Sequence, residues 1–208
     1  MVSATTRPPT YEDFARYRGA VRRIEERLER TTRALDTAGV DYAVVGGNAV
    51  AARVSTVDPD AVRTTKDVDL LLRRADFERA ATALRPTGLE PAEIHGVAMF
   101  VETAEPSPKN AVHLVFANEP VRKGDLLPAP DVAESRPGVG GFRVIPVLEL
   151  VKMKLLAFHL RDQTHLVNLL SIGLIDASWT DRLPAELQPR FRRVLEAFAR
   201  EEEQSGRP

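Results

Sequence analysis

The chain has 208 residues, 43% of them hydrophobic and 28% charged, which is ordinary globular usage and enough length for one compact domain with a helical extension. Its 29 basic and 30 acidic residues leave a net charge of −1, which excludes a whole-molecule polycation built for nucleic acid while allowing a local basic patch. It has no cysteine, so disulfides, thiolate zinc sites and a cysteine nucleophile are excluded, and no apolar run approaches the ~20 residues of a membrane span.

Met1 to Thr10 is polar, carries Pro8-Pro9 and lacks an apolar signal segment, so a cytoplasmic location is expected. From about Phe14 to Ala38 the chain reads as one helix: Val21, Ile24, Leu28 and Leu35 keep a helical spacing, and Gly39 stands where a left-handed cap belongs. Its other faces carry Arg22, Arg23, Arg27, Arg30 and Arg33 among Glu25, Glu26 and Glu29, which reads as a solvated, salt-bridged face. Asp41 to Val45 is a short buried strand ended by Gly46-Gly47, followed by a short helix over 48–54 with Asn48 as its N-cap. Ser55 to Thr65 is a polar connection containing Asp58-Pro59, and Val68 to Leu72 is a second strand. Asp76 to Leu84 follows as an amphipathic helix stopped by Pro86 and Gly88.

Two further strands are expected, Ile94–Val101 and Ala111–Ala117, then a long Pro- and Gly-rich loop from Asn118 to Gly141 and a last strand over 142–145. Pro146 opens a helix running to about Leu160, Asp162 caps another that ends at Ile172 with Gly173, and a charged helix spans Pro184–Glu203. The order implies an α+β (α/β-like) fold, a mixed sheet flanked by helices with a C-terminal helical layer. Its expected parts are an N-terminal helix on the core (1–40), a sheet domain (41–145) and a helical segment (146–208).

Asp67-Val68-Asp69 is the strongest chemical signal. Side chains alternate along a strand, so these two acids share one face with α-carbons ~6.6–7 Å apart. Converging carboxylates repel by a few kcal/mol, a penalty that a divalent cation removes, and Mg²⁺ favours one or two carboxylates together with substrate phosphates. Solvated acids paired with Lys66, Arg63 or Arg73 are the plain alternative. Gly46-Gly47, between a strand and a helix, allows backbone to approach a ligand and leaves helix N–H groups aimed at an anion. The two features together describe a phosphate cradle beside a metal clamp.

Those residues carry a resemblance. Val44-Val45-Gly46-Gly47-Asn48-Ala49-Val50, followed by Arg63-Thr64-Thr65-Lys66-Asp67-Val68-Asp69-Leu70-Leu71, resembles the nucleotidyltransferase superfamily of the DNA polymerase β type. More narrowly, the chain is similar to small bacterial members related to abortive-infection (AbiEii-like) toxin nucleotidyltransferases. Leu150 to Leu155, with Arg161-Asp162 and His165-Leu166, looks like their C-terminal helical segment. The resemblance implies a nucleotidyltransferase fold over the sheet domain. It also implies transfer of a nucleoside monophosphate from an NTP such as ATP to an acceptor hydroxyl, with release of pyrophosphate. Asp67 and Asp69 would ligate Mg²⁺ (or Mn²⁺), and the glycine turn, Gly46 and Gly47 with Asn48, Thr65 and Lys66, would hold the nucleotide. Lys154 and Arg161 would neutralise phosphate charge, or else pair with Glu149 or Asp162. The acceptor would be RNA, a protein or a small molecule, and a toxin-type member would have a cognate antitoxin.

Three departures mark this chain. The turn lacks the serine many relatives carry, so Asn48 would donate in its place. Nineteen residues separate Gly47 from Asp67, which requires a small insertion. The position of the third carboxylate, in Val112-His113-Leu114-Val115, holds His113, which suits a general base better than an Mg²⁺ ligand; Glu93 or Glu102 would otherwise reach in. The alternative function is a catalytically degenerate nucleotide- or partner-binding module. Gly138 to Arg143 is not a dinucleotide fingerprint, since Arg143 stands where the third glycine belongs. His95, His113, His159 and His165 lack zinc-ligand spacing, and His159 and His165 read as surface or capping residues.

Overall fold

The computed structural model describes Arg7, Pro8, residues 10–137 and residues 141–206; most of the N-terminal stretch and the glycine run at 138–140 lie outside the described residues. The chain enters through α1 (Tyr11–Thr37), opened by Thr10 in a reciprocal cap with Asp13 and closed where Gly39 takes φ +62°. On the face expected to be salt-bridged, Arg22 pairs with Glu26, Arg33 with Glu29, and both Arg27 and Arg30 with Glu102, while Arg23 makes no ion pair among the described residues.

The sheet has seven strands in the order β3-β4-β5-β2-β1-β7-β6. β1 (Tyr42–Val44) lies antiparallel to β2 (Val68–Leu72) and parallel to β7 (Arg143–Val144). β2 runs parallel to β5 (Val112–Phe116), with Asp69 opposite His113. Successive Leu70, Leu71 and Leu72 are all buried, so both faces of this central strand are covered. Both edges are blunt. β6 (Arg136–Pro137) is two residues long, and β3 (Leu89–Ile94) carries Glu90, Pro91 and Glu93.

Helices α2 (Gly46–Val54), α4 (Val147–Ala157) and α5 (Leu160–Ser171) pack on one another, and α6 (Gln188–Ser205) packs on α5. A second group is α1 with α3 (Phe77–Leu84). One buried apolar cluster runs through these elements from Leu28 to Val194.

Several elements differ from the sequence reading. The strand expected over 94–101 is a hairpin, β3 with β4 (Val97–Glu102), turned at His95 (φ 52°) and Gly96 (φ 75°). A His-Gly pair fills the two left-handed positions that Asn-Gly usually holds. Pro91 is accommodated because β3 is an edge strand. Asn48 is no N-cap: Val45 holds that place and α2 begins at Gly46. The helix expected to reach Leu160 stops at Phe158, whose φ of 49° reverses the chain. His159 is the N-cap of α5 and Asp162 its third residue, reaching back to the His159 N–H. α6 starts at Gln188 rather than Pro184, after a tight turn over Ala177–Arg182.

Candidate functional site

The glycine bend is built around β2. The Val45 N–H donates to the Asp69 carbonyl at 3.0 Å, fixing the end of β1 beside the second strand. Gly46 then takes φ +65°, and a Cβ built on it would stand within the Asp69 carboxylate, 2.7 Å from Cγ and 2.9 Å from Cβ. A Cβ on Gly47 would lie 2.5 Å from Thr65 Oγ1 and 2.7 Å from Thr65 Cβ. Both glycines are therefore demanded by close approach, and the first also by its backbone angle. The room they leave is taken by Asp69 and Thr65.

Asp69 lies on β2 and Asp67 just ahead of it, and both face a cleft of about 560 Å³ together with Gly46, Gly47 and Thr65. The Asn48 amide donates to the Asp67 carbonyl at 2.8 Å. It pins the start of β2 to α2 and does not line the cleft, as Lys66, exposed on its loop, does not.

The far wall comes from α4 and α5. Lys154 and Asp162 are buried and paired, Nζ to Oδ1 at 2.8 Å. Lys154 is thus committed to Asp162, whereas Glu149 takes Lys152 at 2.6 Å. Burial pushes the Asp162 carboxyl up, but the Lys154 ammonium and the bonds from His159 outweigh it and leave the group below its ordinary value. The His159 ring joins this pair to a loop: Nδ1 is 3.1 Å from Asp162 Oδ2 and Nε2 is 2.9 Å from Arg122 Nη1. Arginine only donates, so Nε2 accepts and the Nδ1–H donates to Asp162. Arg161 is mostly solvent-exposed and touches Asp67 loosely, Nη1 to Oδ2 at 3.4 Å.

Two residues in this wall escaped the sequence reading. Arg122 sits in a long loop with no periodicity to place it. His165, read as a surface or capping residue, is half-buried and lines the cleft with Nδ1 unpartnered. Burial, helped by Lys154, Arg161 and Arg63 and opposed by Asp162, pushes its pKa down to about 4, so it is neutral at pH 7. Its spacing from Arg161 and Asp162 on one helix was the available signal.

His113 stands beside Asp69, Nδ1 to Oδ1 at 3.7 Å, while Nε2 is 3.1 Å from the Pro108 carbonyl. The Asp69 carboxylate raises its pKa against the opposing effect of burial, with smaller help from Asp67 and Pro108. Neither expected substitute acid fills the third position: Glu102 is tied to Arg27 and Arg30, and Glu93 is outside the cleft lining. Among the described residues, no three His, Asp or Glu side chains gather to hold a metal ion. Asp67 and Asp69 still offer two hard oxygen donors in one cleft, the complement Mg²⁺ takes when phosphate oxygens and water complete its shell.

No family model matches the sequence, and no curated protein matches it either. Solved structures do. The solution structure of the antibiotic-resistance factor ANT(2″)-Ia has a TM-score of 0.52 at 13% identity, over 88% of this chain and 97% of that one. The crystal structure of ANT(2″)-Ia in complex with adenylyl-2″-tobramycin gives 0.50 at 16% identity, over 78% and 95%. An antigenic nucleotidyltransferase-like protein from Paracoccidioides brasiliensis gives 0.50 at 18%, over 80% and 84%. The likeness establishes the fold: a mixed sheet with a C-terminal helical layer in the nucleotidyltransferase arrangement.

Proposed function

We propose that this chain, built on the nucleotidyltransferase fold, transfers a nucleoside monophosphate from an NTP to an acceptor hydroxyl. The observation that carries the reading is the Gly46 bend, where a missing side chain seats the Asp69 carboxylate beside Asp67 in a cleft that cations face from the opposite wall. In this reading the acceptor oxygen bonds to the α-phosphorus, the bond to the β-phosphate oxygen breaks, and pyrophosphate leaves. Asp67 and Asp69 would hold Mg²⁺ or Mn²⁺, which supplies charge neutralisation at the phosphates. The Gly46-Gly47 backbone, with Thr65 beside it, cradles the triphosphate at the start of α2. Arg161 is free to exchange its loose contact with Asp67 for a phosphate, and Lys154 acts from within its buried pair.

His113, beside Asp69 though itself outside the cleft lining, is the proposed proton acceptor. With Nε2–H given to the Pro108 carbonyl, the neutral ring presents its Nδ1 lone pair on the side of Asp69. A second reading, a nucleotide- or partner-binding module without transfer, is favoured by one observation, the absence among the described residues of a third carboxylate gathered with Asp67 and Asp69.

ANT(2″)-Ia is in complex with adenylyl-2″-tobramycin, and we extend only nucleotidyl transfer, not that ligand, to this chain. The abortive-infection (AbiEii-like) toxin role with a cognate antitoxin rests on sequence resemblance. Its test is growth arrest on expression that Asp67→Asn/Asp69→Asn abolishes. The reaction itself is tested by thermal shift and label transfer. Stabilisation by an NTP only when Mg²⁺ is present, lost in Asp67→Asn/Asp69→Asn, together with transfer of α-phosphate label to an acceptor, supports the enzyme. Magnesium-dependent binding with no product from any acceptor extract favours the binding module.

A further inference from the structure

Helix α1 outruns the body it packs on. Its buried residues begin at Arg27, so the stretch from Tyr11 to Glu26, about 24 Å of helix, holds none. The apolar stripe that becomes Leu28 and Leu35 in the core starts on this overhang with rings that no core receives. Tyr11, Phe14 and Tyr17 are 98%, 63% and 52% exposed. Phe14 and Tyr17 stand edge to face with centroids 6.3 Å apart. Isolated exposed apolar residues are ordinary; three aromatic rings within two turns of one helix are not.

This surface leads to the cleft. The Tyr17 hydroxyl is 3.1 Å from Thr64 Oγ1, and Thr64 precedes Thr65, which lies against Gly47 in the cleft wall. The charge along the same route is unbalanced. Arg18, midway along the overhang, and Arg63 and Lys66, flanking the two threonines, make no ion pair among the described residues. Arg63 is close enough to the cleft to lower the His165 pKa. On the helix itself the nearby acids are spoken for, Asp13 by Arg7 and Arg16, and Glu12 by Arg16, while on the loop Asp60, three residues before Arg63, is exposed and makes no ion pair among the described residues. What remains open is therefore aromatic faces bordered by cations, on a protein whose net charge is −1. An extended polyanion with planar rings complements both features; a duplex, with its bases already stacked, does not.

We infer that Tyr11, Phe14 and Tyr17 form a stacking platform for a single-stranded polynucleotide. Arg18, Arg63 and Lys66 take its phosphates, and Thr64 guides one end into the cleft. That end's role as acceptor rests on the transfer reading above, whereas the platform itself does not. The paired arginine face further along α1 takes no part.

The test is fluorescence anisotropy with labelled oligoadenylate and oligouridylate of about 12 nucleotides, as RNA and as DNA, alongside duplexes of equal length. Single strands are expected to bind more tightly than duplex. Tyr11→Ala/Phe14→Ala/Tyr17→Ala is expected to weaken binding at least about tenfold with the thermal midpoint and the NTP–Mg²⁺ shift unchanged. Arg18→Gln/Arg63→Gln/Lys66→Gln is expected to flatten the salt dependence by roughly two to three units of slope. A 2′-hydroxyl preference would identify RNA as the strand, and equal affinity would identify a backbone-tolerant platform. Failure of the full-length protein to bind any single strand, or unchanged binding by the aromatic variant, overturns the inference. So does a dimer in light scattering that the aromatic variant dissolves, which would assign the rings to a second copy of the chain. Asp67→Asn/Asp69→Asn separates the two claims: strand binding that survives there, with transfer absent from the wild type too, leaves the platform standing and removes the reaction.

Discussion

Replacing Gly46 with alanine asks an L-residue to hold φ +65° while its Cβ enters the space of the Asp69 carboxylate. The backbone term alone is about 1–2 kcal/mol. Asp69 must also move, so the NTP–Mg²⁺ thermal shift is expected to vanish, whereas Gly39→Ala, with nothing near its Cβ, is expected to cost stability and leave the shift intact. His165 supports a pH prediction. Its folded pKa is about 4 against about 6.5 unfolded, so the unfolded chain takes a proton first as pH falls. Stability is expected to decline between about pH 6.5 and 4 through this group, and His165→Gln is expected to flatten the decline in thermal midpoint; identical pH slopes would refute it. The Gly-Gly and Asp-x-Asp signals were legible because glycine and paired acids mark backbone and charge locally. Asn48 was misread, because an amide three residues into a helix gives no sign that its partner is the carbonyl of Asp67.

At the level of elements, the α4–α5 corner joins the site to the helical layer through the buried Lys154–Asp162 pair. Lys154→Met leaves a buried carboxylate unpaired and is expected to cost about 3–5 kcal/mol in chemical denaturation. Lys154→Met/Asp162→Leu is expected to recover most of that loss, since two apolar side chains replace two desolvated charges. An additive double variant would mean the pair is no coupled unit. This corner was only half visible in sequence. Helical periodicity marks residues on one helix, but Lys154 and Asp162 are on different helices joined through Phe158 at φ 49°, a conformation that phenylalanine rarely signals. The strand expected over Ile94–Val101 runs through the β3–β4 turn and leaves most of β3 unassigned for a related reason: His95-Gly96 uses two positive φ angles without the usual asparagine. Strands β1, β2 and β5, mostly apolar, were readable from their composition.

Across the whole molecule, order is expected to grade along α1. Amide exchange from Tyr11 to Arg23 should be much faster than from Leu28 to Thr37, because only the latter is covered. Uniform protection along the helix would show that something covers the overhang. The helix itself was legible from its spacing, but periodicity cannot say how much of a stripe the core beneath will reach. The sheet margins carry a last consequence. A backbone ladder that ends in two residues on one side and in a proline between glutamates on the other offers no template for a neighbouring molecule. Concentrated solutions should therefore resist fibrillar, thioflavin-positive growth even when warmed, and Glu90→Val/Pro91→Val/Glu93→Val should be the change that lets one molecule's rim zip onto the next.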